Sequence, residues 1–307
     1  MTSFAIIIPC FNAERTLAAT LDSIRSQSHG DWSVLCVDDG SSDTTRAIVQ
    51  HFNKLDGRIS LVINDGKGPS CARNMGAFEN HGADVIAFCD ADDLWAPEKL
   101  AQLQSCFADT SVDAGYGQIA FFQDSIADAQ TVSTVPQGDL TIEMLLAENP
   151  VCTMSNIAVR TDLFRATGGF DTEMVHNEDL DWLIRLVGGG ARVLGVNALQ
   201  TYYRTNPNGL SSDLEAMTLG RRKAIETAAR FGVVPSRSSN AIYDRYLARR
   251  ALRLGHGRLA ALGFALRGVF TSPLGFFNSP KRGALTLSAA LLAVVLPTGL
   301  TRALFSR

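Results

Sequence analysis

Two acidic clusters have a spacing that can do chemistry: Asp38-Asp39, followed by Gly40-Ser41-Ser42-Asp43, and Asp90-Ala91-Asp92-Asp93. An Asp-x-Asp pair supplies hard oxygen ligands suited to Mg2+ or Mn2+, with a diphosphate filling the remaining positions. A cation there also offsets the charge that develops on a leaving diphosphate. Each cluster alone has a plainer reading, the first as a turn with a helix cap and the second as a solvated loop. The five histidines (29, 51, 81, 176 and 256) make no metal-ligand spacing, and His176 is read as a surface or packing residue. The six cysteines contain no Cys-x-x-Cys pair, and several sit in apolar runs, which suits small hydrophobes in a reduced compartment.

The elements that must position these carboxylates follow from the apolar pattern. Residues 5–8, 34–37, 59–63 and 85–88 read as buried strands alternating with helices over 14–26, from about 70, and through 107, the signature of a mostly parallel sheet. Ligands of such a sheet sit outside the carboxyl ends of its strands, where both clusters fall. Strands over 114–122, 152–159 and 199–203, with a helix over 180–187, are expected to complete the same domain. Helices then follow over 213–231 and 239–254. The fold class is α/β: a Rossmann-like, mixed, mostly parallel central sheet flanked by helices. Residues 1–212 form the catalytic domain, and 213–307 a helical, basic C-terminal appendage.

The order and spacing of five segments resemble the family 2 glycosyltransferases, inverting enzymes of the A-type nucleotide-diphospho-sugar fold. These are Ile6-Ile7-Ile8-Pro9-Cys10-Phe11-Asn12; Val37-Asp38-Asp39-Gly40-Ser41-Ser42-Asp43; Gly68-Pro69-Ser70-Cys71-Ala72-Arg73-Asn74-Met75-Gly76; Phe88-Cys89-Asp90-Ala91-Asp92-Asp93; and Gly168-Gly169-Phe170-Asp171 followed by Glu178-Asp179-Leu180-Asp181-Trp182. The resemblance covers about residues 4–212. It implies a nucleotide-sugar site in which Asp39 accepts from a uracil-type base packed by Pro9 and Phe11. Asp90 would approach the ribose, and Arg73 the nucleotide or its phosphates. Asp92 would ligate the metal, with Asp90 beside it and Asp93 in support. Asp179 would be the general base, with Glu178 and Asp181 supporting it. Trp182, on the acceptor side, reads equally as core or as a sugar platform.

Two departures shape the expectation. The family often carries a His after its Tyr-Arg pair, where this chain has Tyr203-Arg204-Thr205-Asn206, so Arg204 is expected to contact phosphate instead. No Gln-x-x-Arg-Trp is present and only one long apolar stretch occurs, which implies single addition rather than processive synthesis. The resemblance therefore implies a metal-dependent, inverting, hexosyl-type transfer of one sugar. The donor would be a nucleotide-diphosphate sugar, expected to be a UDP-sugar, and the acceptor a hydroxyl of a glycan or lipid-linked molecule in surface polysaccharide biosynthesis. A nucleotidyltransferase would need a Gly-rich basic loop after the first strand, and residues 9–15 lack one. A dinucleotide-dependent dehydrogenase would need Gly-x-Gly-x-x-Gly there. A catalytically inactive binding module would have no use for Asp90, Asp92 and Asp179.

The chain has 307 residues, 46% hydrophobic and 19% charged, enough to bury a core and to exclude wholesale disorder. Its net charge of −3 hides an asymmetry, because ten of the 28 Lys/Arg and none of the 31 Asp/Glu follow residue 244. The acidic body is a poor nucleic-acid binder, and the basic, apolar tail suits an anionic membrane surface. The uncharged stretch 283–301 admits three readings: a core helix pair, an interfacial anchor, or a span. The N-terminus has no basic, apolar leader. The expected location is the cytoplasm, peripheral to or anchored on the inner face of the cell membrane. A chain cut near residue 244 is expected to leave a soluble, donor-binding domain.

Overall fold

In a computed structural model of the chain, residues 2–80, 82–129, 131–205, 213–254 and 257–296 are described. The first half alternates β1 (Phe4–Cys10), α1 (Leu17–Arg25), β2 (Trp32–Asp38), α2 (Thr45–Leu55), β3 (Ile59–Ile63), α3 (Pro69–Glu79) and β4 (Val85–Phe88). A short β5 (Leu94–Trp95) and α4 (Lys99–Phe107) follow. Next come β6 (Ala114–Phe122), β7 (Thr131–Val132), α5 (Ile142–Glu148), β8 (Ile157–Arg160), α6 (Thr161–Ala166), α7 (Glu178–Gly188) and β9 (Val193–Arg204). The remainder is helical: α8 (Leu214–Arg230), α9 (Arg237–Leu254), α10 (Arg258–Thr271), α11 (Pro273–Phe276) and α12 (Pro280–Val295).

The sheet runs β3-β2-β1-β4-β8-β6-β9-β5, with β7 on β6. β3, β2, β1 and β4 are mutually parallel, whereas β8 is antiparallel to both β4 and β6. This is the expected mixed α/β sheet. Covered on both faces, β1 reads as a continuous apolar run rather than an alternating one. Leu17, Leu21 and Ile24 of α1 join Ile6, Ile8, Val34 and Cys36 in one buried cluster.

The chain divides into two compact units. One comprises residues 1–140 and 150–206, the other 141–149 and 207–307. In the second unit α5, capped by the Thr141 hydroxyl accepting from Met144 N at 3.2 Å, packs with α8 and α9. The strand expected over 152–159 is instead a 3-10 turn, Met154–Asn156, leading into β8. Cys152 has φ +67°, and the Thr153 hydroxyl accepts from Ser155 N, so the chain turns there. The strand expected over 199–203 is the end of the longer β9. Its pairing with β6 shifts register around Gly117, where an added Cβ would fall 2.5 Å from the Gln200 side chain. That irregularity breaks the alternation by which a strand is read.

Among the described residues no helix is long and apolar enough to cross a membrane. In the stretch 283–301, α12 ends at Val295, and residues 297–301 lie outside the described residues.

Candidate active site

Parallel pairing brings the chemistry to one sheet edge. Cys10 is in register with Asp38 and Ile7 with Phe88, so the segments leaving β1, β2 and β4 emerge side by side. The adjacent acids Asp38 and Asp39 then divide their work. Asp38 is buried and shapes the turn, accepting from Gly40 N and Ser41 N and from Arg46 Nε at 2.7 Å. Burial pushes its carboxyl up, but the Ser41 and Arg46 donors outweigh this and hold it below its ordinary value. Asp39 accepts from Asn64 Nδ2 at 2.7 Å and from Gly68 N at 2.9 Å, and Lys67 Nζ lies 4.0 Å from its Oδ2. Lys67 also sits 5.0 Å from the centre of the Phe11 ring, which is 56% exposed, while Pro9 is half-buried. An open aromatic ring and a fixed carboxylate thus lie within one loop cluster.

The loop after β4 is held from three sides. Asp90 N donates to Ser155 Oγ at 2.9 Å, and its carboxylate accepts from Thr153 Oγ1 at 3.3 Å and from Arg73 Nη2 at 2.6 Å. Asp93 is fully buried and accepts from Arg204 N at 2.9 Å; Arg204 Nε donates to Asp92 O at 3.0 Å. Arg204, expected at phosphate, here braces the acidic loop and stacks 4.4 Å from the Phe122 ring centre. Asn206 lies outside the described residues. Burial, then repulsion from Asp90, pushes the Asp92 carboxyl up to about 6.

Arg73 is the junction of the site. Its side chain is 7% exposed and ion-paired through Nη2 to Asp90 and through Nη1, at 3.2 Å, to Glu178 of α7. Burial alone would depress its pKa, but the two carboxylates more than offset that and raise it. Both terminal nitrogens are therefore engaged by carboxylates, where the resemblance implied nucleotide or phosphate. Asp179 follows at the first turn of α7, with Oδ1 accepting from Leu180 N at 2.7 Å. Burial and then the charge of Glu178 push its carboxyl up to about 7, opposed by the Leu180 N–H and Arg73.

The rest of the Gly68–Gly76 segment also has physical reasons. Asn74 donates to Phe170 O and accepts from Phe170 N, both at 2.8 Å, which pins the loop ahead of α7. Gly76 lets α3 approach the sheet, since a Cβ there would fall 2.6 Å from Ile7 Cγ2. Asp181 is buried and pairs with Arg185 at 2.8 Å, one turn along α7. Trp182 is 0% exposed, packed among Phe88, Phe164 and Phe170, with its indole N–H donating to Thr167 Oγ1 at 3.0 Å. Of its two readings, core is the correct one, because no face of the ring is open to a sugar.

Pro9 at the end of β1, Phe11, Asp39, Asp90 and Asp92 in the loops after β1, β2 and β4, Arg73 in α3, and Glu178 and Asp179 in the first turn of α7 are thus carried at one sheet edge, with Asp181 and Trp182 further along α7. Sequence reasoning missed Asn64, Lys67, Thr153, Ser155 and Lys99. Asn64 and Lys67 directly follow a strand at the same edge, and that position was a usable signal. Lys99 carried none. It is fully buried, donates to Ser155 O at 2.5 Å and to Thr201 Oγ1 at 3.0 Å, and burial pushes its pKa down to about 7.

Among the described residues no three His, Cys, Asp or Glu side chains gather into a preformed metal cage. The donor set still fits a divalent cation of the Mg2+ type, which is bound by one or two carboxylates together with substrate phosphates. The mutual repulsion of Asp90 and half-buried Asp92 is what such a cation would relieve.

Comparison with known proteins agrees with this geometry. The chain is 31% identical over 211 residues to the UDP-Glc:alpha-D-GlcNAc-diphosphoundecaprenol beta-1,3-glucosyltransferase WfgD of Escherichia coli, covering 68% of this chain and 79% of that protein. It is 29% identical over 223 residues to the putative teichuronic acid biosynthesis glycosyltransferase TuaG of Bacillus subtilis, covering 68% and 81%. Its fold is shared with S. aureus TarS 1–349 in complex with UDP-GlcNAc, at TM-score 0.62 and 16% identity over 99% of this chain and 89% of that one. It is shared too with the mannosyltransferase PcManGT of Pyrobaculum calidifontis in complex with GDP-Man and Mn2+, at TM-score 0.60 and 18% identity over 98% and 83%. Residues 5–168 match the family described as Glycosyl transferase family 2. The chain belongs to that family and is a glycosyltransferase.

Proposed function

We propose that the enzyme transfers a single sugar, with inversion, from a UDP-sugar to a hydroxyl of a lipid-linked glycan precursor in surface-polysaccharide biosynthesis. The observation that carries this reading is Arg73, which ties Asp90 of the donor-side loop to Glu178, the neighbour of the proposed base. Phe11 and Pro9 pack the nucleobase, and Asp39, already oriented by Asn64 and Gly68, accepts from its imide. Asp90 faces the ribose. Asp92, with Asp90, would hold Mn2+ or Mg2+, which neutralises the leaving diphosphate when bound.

Asp179 takes the proton of the attacking hydroxyl on its carboxylate while the oxygen attacks opposite the diphosphate. A carboxylate pushed up to about 7 is a stronger base than an ordinary Asp and remains ionised in an appreciable fraction at neutral pH. Arg73 and Arg204 act as struts, keeping Asp90 and the backbone of Asp92 in place, rather than as phosphate ligands. The donor and acceptor classes are supported by the substrates for which WfgD is named and by the UDP-GlcNAc bound to TarS. The cation is supported by the Mn2+ of PcManGT. A lipid-linked acceptor puts the enzyme at the inner face of the cell membrane.

A donor-hydrolysis screen over UDP-, GDP- and TDP-sugars, with Mn2+, Mg2+ or excess chelator, tests the reading. Hydrolysis confined to UDP-sugars and abolished by chelator is expected. A GDP- or TDP-sugar preference, or full activity in chelator, would overturn the donor or the cation.

A further inference from the structure

Helices α10 and α12 bury small residues and leave several large apolar ones exposed. The buried positions of α10 are Ala261, Ala265 and Gly268, and those of α12 are Gly283, Thr286, Ala290 and Ala293. Small residues are required there: a Cβ on Gly268 would fall 2.7 Å from the Phe276 ring, and one on Gly283 2.6 Å from the Phe277 ring. Leu262, Phe264, Val269 and Leu287 are half-buried against these positions, while other large apolar side chains face outward. Leu259, Leu266 and Phe270 share one face of α10, and Leu285, Leu292 and Val295 one face of α12, with Leu274 of α11 88% exposed between the two helices in the chain. Phe270 and Val295 are 77% and 76% exposed. A water-facing helix shows the opposite arrangement, and helices that meet lipid show this one, with small residues between them and large ones outside.

Charge points to the same partner. No acidic residue follows Asp244, and ten basic ones do. On the described side chains of α10 to α12 the charges are Arg267, which pairs with Asp244 of α9, exposed Lys281 and half-buried Arg282. At 14 and 16 residues, α10 and α12 measure about 21 and 24 Å, shorter than the roughly 30 Å hydrocarbon core. The helices therefore suit the plane of an interface and not a crossing.

We propose that the outward face of α10 to α12 docks on an anionic lipid bilayer, its leucines and phenylalanine entering the headgroup–acyl boundary and its cations meeting lipid phosphates. This rests on the proposed function only in giving a membrane-bound acceptor a nearby enzyme, and its test needs no catalysis. The full chain would be floated with vesicles of equal parts phosphatidylglycerol and phosphatidylcholine, and with phosphatidylcholine alone. Flotation with the anionic vesicles is expected, weakened by high salt and by Lys281→Glu. It should fall about tenfold or more in a Leu266→Gln, Phe270→Gln, Leu285→Gln, Leu292→Gln variant, given the apolar area removed from the boundary. Donor hydrolysis and melting temperature should be unchanged. The single Phe270→Gln variant, at an exposed position, serves if the fourfold variant does not fold. Absence of flotation by the full chain, or undiminished flotation by the variants, would overturn the proposal. So would a dimer in solution that the same substitutions dissociate, since a second copy would then cover the face. Flotation retained in a chain that hydrolyses no donor would uphold this inference while sinking the catalytic one.

Discussion

At the scale of single residues, the proposed function turns on carboxylates that differ only in surroundings. Asp92 is pushed up to about 6 by burial and by Asp90. Asp92→Asn should keep the fold but lose cation-dependent donor binding, read by titrating UDP-sugar with and without Mn2+; unchanged binding would remove Asp92 from the cation site. Asp179 is pushed up to about 7, so transfer should rise with pH through that region as the base ionises. Asp179→Asn should leave donor affinity nearly unchanged and lower transfer by about 10² or more. Lost donor affinity with normal transfer at saturation would mean that another carboxylate is the base. The same shift has a sign for stability. A carboxyl raised in the folded state contributes stability at low pH that is lost as pH rises through the folded value. Asp179→Asn should therefore melt above the parent at pH 8, with the gap closing towards pH 5; a gap that grows on acidification would refute the assignment.

At the scale of elements, α7 carries the proposed base and is placed by contacts distant in sequence. Asn74 of α3 grips both backbone groups of Phe170, in a loop where Gly168 and Gly169 have φ +75° and +74°. Asn74→Ala leaves a backbone donor and acceptor unpaired and should cost about 1–3 kcal/mol in chemical denaturation. Transfer should suffer more than donor binding, because α7 loosens while the base-binding loops stay. Equal loss of both would show that Asn74 supports the whole edge. Trp182→Ala should cost about 3–5 kcal/mol through the aromatic cluster it vacates. An unaltered melting temperature in that variant would contradict its place in the core.

At the scale of the whole molecule, the segment 141–149 belongs with the C-terminal residues although strands precede and follow it. Glu148 of α5 pairs with Arg245 at 3.4 Å and Arg249 at 3.3 Å, and Arg245 donates to Phe276 O at 2.8 Å. A chain cut after Asp244 keeps α5 and discards these partners. It should express with lower solubility and melt below the full chain, because Glu148 loses its counter-charges. A cut chain as soluble and heat-stable as the parent would show that the second unit does not need its last helices.

The sequence alone determined the α/β class, the strands of the parallel half, the sheet edge where ligands belong, and five motifs in order. Those features are local: a buried strand is a short apolar run, and a turn or helix start is a few polar residues at fixed offsets. Only the tertiary structure decided what surrounds each acid. Asp38 and Asp39 are chemically identical neighbours, told apart by Arg46 below one and Asn64 beside the other. Arg73 is expected at the nucleotide or its phosphates, until folding delivers Glu178 from 105 positions away and both terminal nitrogens are paired. Trp182 reads as core or platform until Phe88, Phe164 and Phe170 converge on it. The protonation and exposure of these groups depend on charges and surfaces brought together across long chain separations, and no spacing within a motif encodes them.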